Sequence, residues 1–247
     1  MCLQPRDVEE ALKSLPVTLD DTYARILQSI DATYQPKVIT ALQWITYSRR
    51  PLRLEELSHA VVIDSKSNPC LNPNNHLIEP RKLLRILSSL VVISKRPRNA
   101  IDIGWVDPEE LEELEAVKLA HFSVKEYLAS LRILDGPASR FRITEQESNR
   151  VIAESSLLYI KSYAGSKNKS SSKQDLEQLR LIQYAYRFWS DHVETTKEAT
   201  GSYIDDLIFE FLSSDVERSS WLLIYHPDRD YDSPFENDGY NIAASIY

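Results

Sequence analysis

The chain has 247 residues, of which 43% are hydrophobic and 27% are charged, so it is long enough to bury about 70% of its unfolded surface. It has only five glycines, and because none of them lie close together, the sequence excludes a phosphate loop, a G-x-G-x-x-G turn and a G-x-S-x-G nucleophile elbow. The formal net charge of −8 does not favour binding to nucleic acid.

The cysteine and histidine content indicates the cellular compartment of the protein and whether it binds a metal ion. Two cysteines, Cys2 and Cys70, are too few for a disulfide framework or a four-ligand zinc site, and they are typical of a reducing compartment. The first residues, MCLQPRDVEE, lack the apolar core that is typical of a signal peptide, and the sequence has no run of ~18 apolar residues. We therefore expect an intracellular, cytoplasmic protein with no membrane contact. No two of the five histidines have H-x-x-x-H spacing, so no metal site is predicted.

The first half of the chain predicts helices and one short strand. A capping box of Thr18 and Asp21 precedes the first helix, whose apolar residues have the spacing of one helical face: Tyr23, Ile26, Leu27 and Ile30. A second helix begins at Pro36. Residues 52–54 form a short strand, 55–61 a helix and 64–80 a polar loop. Pro80 begins a third helix, which passes into a β-branched strand at residues 91–94.

The segment that follows has the character of a wing. Strands are predicted at residues 101–103 and 117–122, with an acidic segment between them, and Ser123 with Glu126 forms a capping box for the next helix. Three helices followed by a two-stranded wing form a winged helix-turn-helix. We predict a mostly α fold, in which this unit with its small two- to three-stranded wing is followed by an all-helical unit.

The helical unit is marked by two further capping boxes, Thr144 with Glu147 and Ser172 with Asp175. The second box precedes an apolar stripe of Leu176, Leu179, Ile182, Tyr186 and Trp189. The predicted organisation is linker helices over residues 1–33, a winged-helix domain over 34–136, a helical domain over 137–225 and coil over 226–247.

Four strings, in order, carry a resemblance to a known family. They are ALKSLP with LDDTYARIL (11–16 and 19–27), ALQWI with RPLRLEEL (41–45 and 50–57), LAHFSVKEYL (119–128) and YAYRFWSDH (184–192). Together they resemble the winged-helix region that follows the NACHT domain in fungal signal-transduction NTPases of the STAND class with ankyrin repeats. That region is often labelled by similarity to a winged-helix region of GPI inositol-deacylase.

The resemblance implies a regulatory module that packs on a NACHT domain or a related receptor chain and relays its state in signal transduction. In the family the phosphate loop lies upstream of these strings, so we expect this chain to lack the NTPase domain itself. Residues 240–245 lie where an ankyrin array would begin. We expect no cofactor in this chain, ADP or ATP belonging to the full-length receptor, no small-molecule substrate and no enzyme activity.

His121 is the one candidate binding residue. In related NACHT receptors the histidine of a similar strand-to-helix string contacts the diphosphate of bound ADP, and the resemblance implies this role for His121 where an NTPase domain is present. The sequence also fits a buried core histidine, because His121 alternates with Val117 and Leu119 on one strand face.

Ser123 lies two residues after His121, which raises the alternative of a nucleophile and its base. We expect Ser123 to cap the helix instead, because adjacent positions at a strand end do not by themselves place a hydroxyl and an imidazole face to face. The four aromatic residues Tyr184, Tyr186, Phe188 and Trp189 are expected to be core, with a partner surface as the alternative.

A DNA-binding winged-helix regulator is the alternative function. The third helix, where such proteins place their base contacts, and the wing both carry basic residues: Arg81, Lys82, Arg85, Lys95, Arg96 and Arg98. The acids of residues 107–115 and the net negative charge oppose this alternative.

Overall fold

The computed structural model describes residues 18–64, 70, 77, 79–95, 115–165, 179–196 and 202–224. In this part of the chain the structure is mostly helical, with one three-stranded antiparallel sheet. The predicted mostly α fold with a small wing is therefore confirmed. None of the helices described is long and apolar enough to cross a membrane.

The elements are numbered in chain order. The helices are α1 (Leu19–Gln28), α2 (Gln35–Tyr47), α3 (Leu54–Ala60), α4 (Pro80–Leu87), α5 (Phe122–Ala129), α6 (Glu145–Gly165), α7 (Ile182–Thr195), α8 (Ser202–Ser213) and α9 (Asp215–Ile224). The strands are β1 (Leu52–Arg53), β2 (Val91–Lys95) and β3 (Glu115–Leu119). Short 3₁₀ turns cover Ser88–Leu90, Arg132–Asp135 and Ser139–Phe141.

The sheet has the strand order β1-β3-β2, so the last strand lies in the middle. Leu52 of β1 faces Val117 of β3, and Val91 of β2 faces Leu119 at the other end of β3. Helices α2, α3 and α4, the short strand β1 between α2 and α3, and the antiparallel pair of β2 and β3 form the winged-helix arrangement that the sequence predicts. The predicted strand at residues 101–103 lies outside the described residues.

Several boundaries differ from the predictions. Strand β3 covers Glu115–Leu119 and not residues 117–122, because the chain turns at His121 into α5. The N-cap of α5 is His121, whose side chain accepts the Ser123 N–H, so the predicted Ser123–Glu126 capping box is wrong. By contrast, the box of Thr18 and Asp21 at α1 is present as predicted.

The helical unit is centred on the packing of α6 against α7. The Thr144 hydroxyl accepts the Glu147 N–H at 3.3 Å, which confirms the cap at the start of α6. Helix α7 begins at Ile182, so Leu179 precedes it, while the Ser172–Asp175 box and Leu176 lie outside the described residues.

One hydrophobic core extends from α1 through the winged helix into α6, α7 and α8. Its largest fully buried side chains include Trp44, Tyr159, Tyr184, Tyr186 and Phe211. The ring centroids of Trp44 in α2 and Tyr184 in α7 are 5.5 Å apart, in an edge-to-face contact that joins the two predicted units. The expectation that the four aromatics of α7 are core is confirmed, since all four are buried.

Candidate functional site

Helix α1 packs along α5, and this contact positions the candidate residues. The Tyr23 hydroxyl lies 2.7 Å from Ser123 Oγ, and its ring centroid lies 5.7 Å from that of Tyr127, one helical turn further along α5. At the other end of the contact, Arg132 is 3.3 Å from the Asp20 carboxylate. We call this contact the α1–α5 junction.

His121 lies at the start of the junction and is exposed to solvent. Its Nδ1 atom accepts the Ser123 backbone N–H at 3.2 Å and lies 2.7 Å from Ser123 Oγ. In the part of the chain that the structure describes, no hydrogen bond of the Nε2 atom is observed. The reading of His121 as a buried core histidine is therefore wrong, because β3 ends before it and the imidazole caps α5 at the surface.

Large apolar side chains around the junction remain exposed. They are Leu19, Phe122, Leu131 and Leu134, with 61%, 67%, 69% and 49% of their surface accessible. The Phe122 ring lies beside His121, with ring centroids 4.6 Å apart. Leu19 lies on α1 and Phe122 on α5, whereas Leu131 and Leu134 follow the end of α5. Large exposed apolar residues on neighbouring elements are typical of a docking surface.

The hydroxyl of Ser123 and the imidazole of His121 do meet, contrary to the sequence prediction. The first turn of α5 folds the Ser123 side chain back over its own N-cap, which brings Oγ within hydrogen-bond distance of Nδ1. Tyr23, 100 residues earlier in the chain, completes a Tyr–Ser–His chain of hydrogen bonds. Sequence spacing could not reveal that Tyr23 belongs to this group.

The basic residues of α4 are engaged with other side chains. Arg81 is 3.1 Å from the Glu115 carboxylate, Arg85 pairs with Glu79, and the Lys82 ammonium lies 5.4 Å from the centroid of the Tyr34 ring. Because acids neutralise two of these three cations, α4 offers little net attraction to phosphate. Of the wing residues, Lys95 is exposed on β2, whereas Arg96 and Arg98 lie outside the described residues.

A buried ion pair in the winged-helix unit was not predicted. Glu56 is fully buried and accepts two hydrogen bonds from Arg50, at 2.6 and 2.7 Å. It also accepts the Arg53 backbone N–H at 2.8 Å. Burial raises the pKa of Glu56, but the charges and hydrogen bonds of the two arginines outweigh burial and lower this pKa from 4.5 to about 2. The carboxylate therefore stays ionised in the core.

A second buried polar chain connects the winged helix with the helical unit. The Arg49 N–H donates to the Tyr184 hydroxyl at 2.9 Å, which lies 2.8 Å from His192 Nε2, and His192 Nδ1 lies 2.6 Å from Asn149 Oδ1. Burial, with a smaller contribution from the charge of Arg49, lowers the pKa of His192 to about 3. The neutral imidazole thus bridges α7 and α6.

The only described cysteine, Cys70, is buried as a free thiol, and its Sγ lies 2.9 Å from the Ser162 hydroxyl. Within the described ranges, no group of three or more histidine, cysteine or acidic residues could hold a metal ion.

Comparison with known proteins shows what the chain is similar to. No family model matches the chain, and no solved structure matches it. The chain is 30% identical over 237 residues to a protein of Monascus ruber named azaphilone pigments biosynthesis cluster protein L. The aligned region covers 92% of this chain and 47% of the relative, so the chain spans about half the relative's length.

This relative corrects the expectation that the chain is not an enzyme, because its name assigns it to a biosynthesis cluster. The scarcity of glycine excluded only sites that depend on closely spaced glycines, and catalysis by other residue types requires no such loop. The expectation that Ser123 and His121 do not meet is also wrong, because the two side chains are in contact.

Proposed function

We propose that this chain is a regulatory relay module of a NACHT-type signal-transduction NTPase. It packs on the nucleotide-binding domain of a receptor chain through the α1–α5 junction and transmits the state of that domain. The observation that carries the proposal is the exposed His121 beside exposed Phe122 at the start of α5 on a winged-helix unit. We place this function inside the cell, in the cytoplasm.

The chemistry of His121 suits this role. A neutral imidazole whose Nδ1 accepts a hydrogen bond carries its hydrogen on Nε2, and that N–H can donate to a phosphate oxygen. ADP held by the NACHT domain would supply such oxygens. His121 then holds the junction to the partner only while the phosphate lies opposite it, which gives a two-state contact whose balance follows the nucleotide.

The apolar residues of the junction supply the remaining affinity. Burial of a phenylalanine side chain contributes about 2 kcal/mol, and each ~1.4 kcal/mol is tenfold in affinity. Two thirds of the Phe122 side chain is exposed, so covering it accounts for about a tenfold effect.

The test is a calorimetric titration of the chain with a purified, ADP-loaded NACHT domain from a fungal NTPase of this architecture. Phe122→Ser should weaken binding about tenfold. Phe209→Ser is the matched control, because Phe209 is equally exposed, at 73%, but lies on α8; it should leave the dissociation constant within about twofold of wild type. His121→Ala should remove the preference for the ADP-loaded form. Absence of binding, or equal effects of the two serine variants, would refute the proposal.

The name of the relative favours a second candidate, an enzymatic or other role in a biosynthetic pathway. Ser123 with His121 is the hydroxyl–imidazole pair on which such chemistry can be tested. Turnover of p-nitrophenyl butyrate by the wild-type chain that is lost in Ser123→Ala would support hydrolytic chemistry at this pair. No turnover, or turnover that Ser123→Ala retains, would exclude that chemistry there.

A further inference from the structure

The hydrogen bonds at the α1–α5 junction have only one consistent direction. His121 Nδ1 accepts the Ser123 backbone N–H at 3.2 Å, so this nitrogen carries no hydrogen. Ser123 Oγ, 2.7 Å from the same nitrogen, must then donate to it. Because a serine hydroxyl has one hydrogen, Oγ can only accept from Tyr23, whose hydroxyl lies 2.7 Å away.

This direction determines the tautomer of His121. With Nδ1 as an acceptor, the hydrogen of the neutral imidazole is on Nε2, the atom at the exposed edge of the ring. The orientation of the ring is set as well, since Nδ1 is held by two donors from the first turn of α5. Of the three residues joined by these hydrogen bonds, Tyr23 is the one that comes from a different element, α1.

We propose that Tyr23 is a positioning residue for His121: its hydroxyl orients Ser123 so that the imidazole presents Nε2–H to the partner. The position of α1 therefore decides whether His121 is ready to donate. When α1 moves away from α5, the Ser123 hydroxyl regains its other rotamers and the imidazole loses one of its two restraints. This inference rests on the proposed function and adds a route by which α1 regulates the same contact.

A substitution at Tyr23 can distinguish the effect of its hydrogen bond to Ser123 from the effect of its ring packing. The Tyr23 ring packs near Tyr127 independently of its hydroxyl, so Tyr23→Phe removes the hydrogen bond and retains the ring. Tyr34→Phe is the matched control: Tyr34 also loses one hydroxyl, and its ring contacts Lys82 on α4.

The test is the ring-nitrogen NMR spectrum of His121 in the whole chain, with His121→Asn used for assignment. Wild type should show an unprotonated Nδ1 and a protonated Nε2. Tyr23→Phe should shift the Nδ1 resonance toward the tautomer-averaged position, Ser123→Ala should shift it further, and Tyr34→Phe should leave it unchanged.

Two results would overturn the inference: a wild-type spectrum with Nδ1 protonated, or a Tyr23→Phe spectrum identical to wild type. Neither result depends on a partner or nucleotide, so failure here is distinguishable from failure of NACHT-domain binding, which the calorimetric titration measures. Circular dichroism verifies that Tyr23→Phe is folded, because the NMR comparison requires an intact α1–α5 junction.

Discussion

Lowering the pH from 7 to 5 should destabilise the protein through His192. In the unfolded chain this histidine has a pKa of 6.5, and burial lowers the pKa in the folded protein to about 3. Between these pH values the unfolded state binds a proton that the folded state does not. The population of the unfolded state therefore rises as the pH falls. The stabilisation is fully present above pH 6.5 and is lost as the pH falls toward 3.

The size of this effect follows from the two pKa values. At pH 5 the solution is 1.5 units below the unfolded pKa of 6.5, and each unit is worth about 1.4 kcal/mol, which gives a loss of about 2 kcal/mol. His192 is fully buried, so no correction for solvent screening is needed. Glu56 adds little in this range, because the pKa of its carboxyl is 4.5 in the unfolded chain and about 2 in the folded protein.

Urea unfolding followed by tryptophan fluorescence at pH 7 and pH 5 measures this effect. In His192→Gln the loss between the two pH values should be smaller than in wild type by about 2 kcal/mol, whatever the stability of the variant at pH 7. Tyr34→Phe, which changes an exposed ring outside the polar chain, should retain the wild-type pH dependence. An unchanged pH dependence in His192→Gln would refute the assignment of a buried, neutral His192.

Three further predictions concern stability. Glu56→Gln removes the buried charge that accepts two hydrogen bonds from Arg50 and should cost about 3–5 kcal/mol in urea unfolding at pH 7; a cost below 1 kcal/mol would contradict the buried pair. In wild type the contribution of Glu56 to stability is present above pH 4.5 and is lost as the pH falls toward about 2. The variant should therefore lose less unfolding free energy than wild type over this pH range. Trp44→Ala should cost about 3–5 kcal/mol, because Trp44 is fully buried between the two units, and an unchanged midpoint would refute that packing. Thr18→Ala removes the cap of α1 and should lower its helicity and cost about 1 kcal/mol; unchanged helicity would contradict the cap.

Part of the candidate site was open to sequence reasoning. His121 was predicted as the binding residue because its string resembles a family motif, and the structure places it at the surface beside exposed Phe122. Its contacts were not predictable, because Tyr23 reaches Ser123 across 100 residues. The buried Arg50–Glu56 pair was missed because a charged residue before a strand and another in a short helix are usually exposed to solvent.

The sequence by itself determined the order of the elements in the described residues and the winged-helix arrangement. Apolar periodicity and capping residues act within one or two turns, so Thr18, Pro80 and Thr144 mark helix starts without help from the rest of the chain. Only the tertiary structure decided that Tyr23 of α1 meets Ser123 of α5 and that His192 is buried and neutral. These outcomes depend on which apolar faces pack together, and a stripe of leucines or tyrosines fits many partners until the whole core has formed.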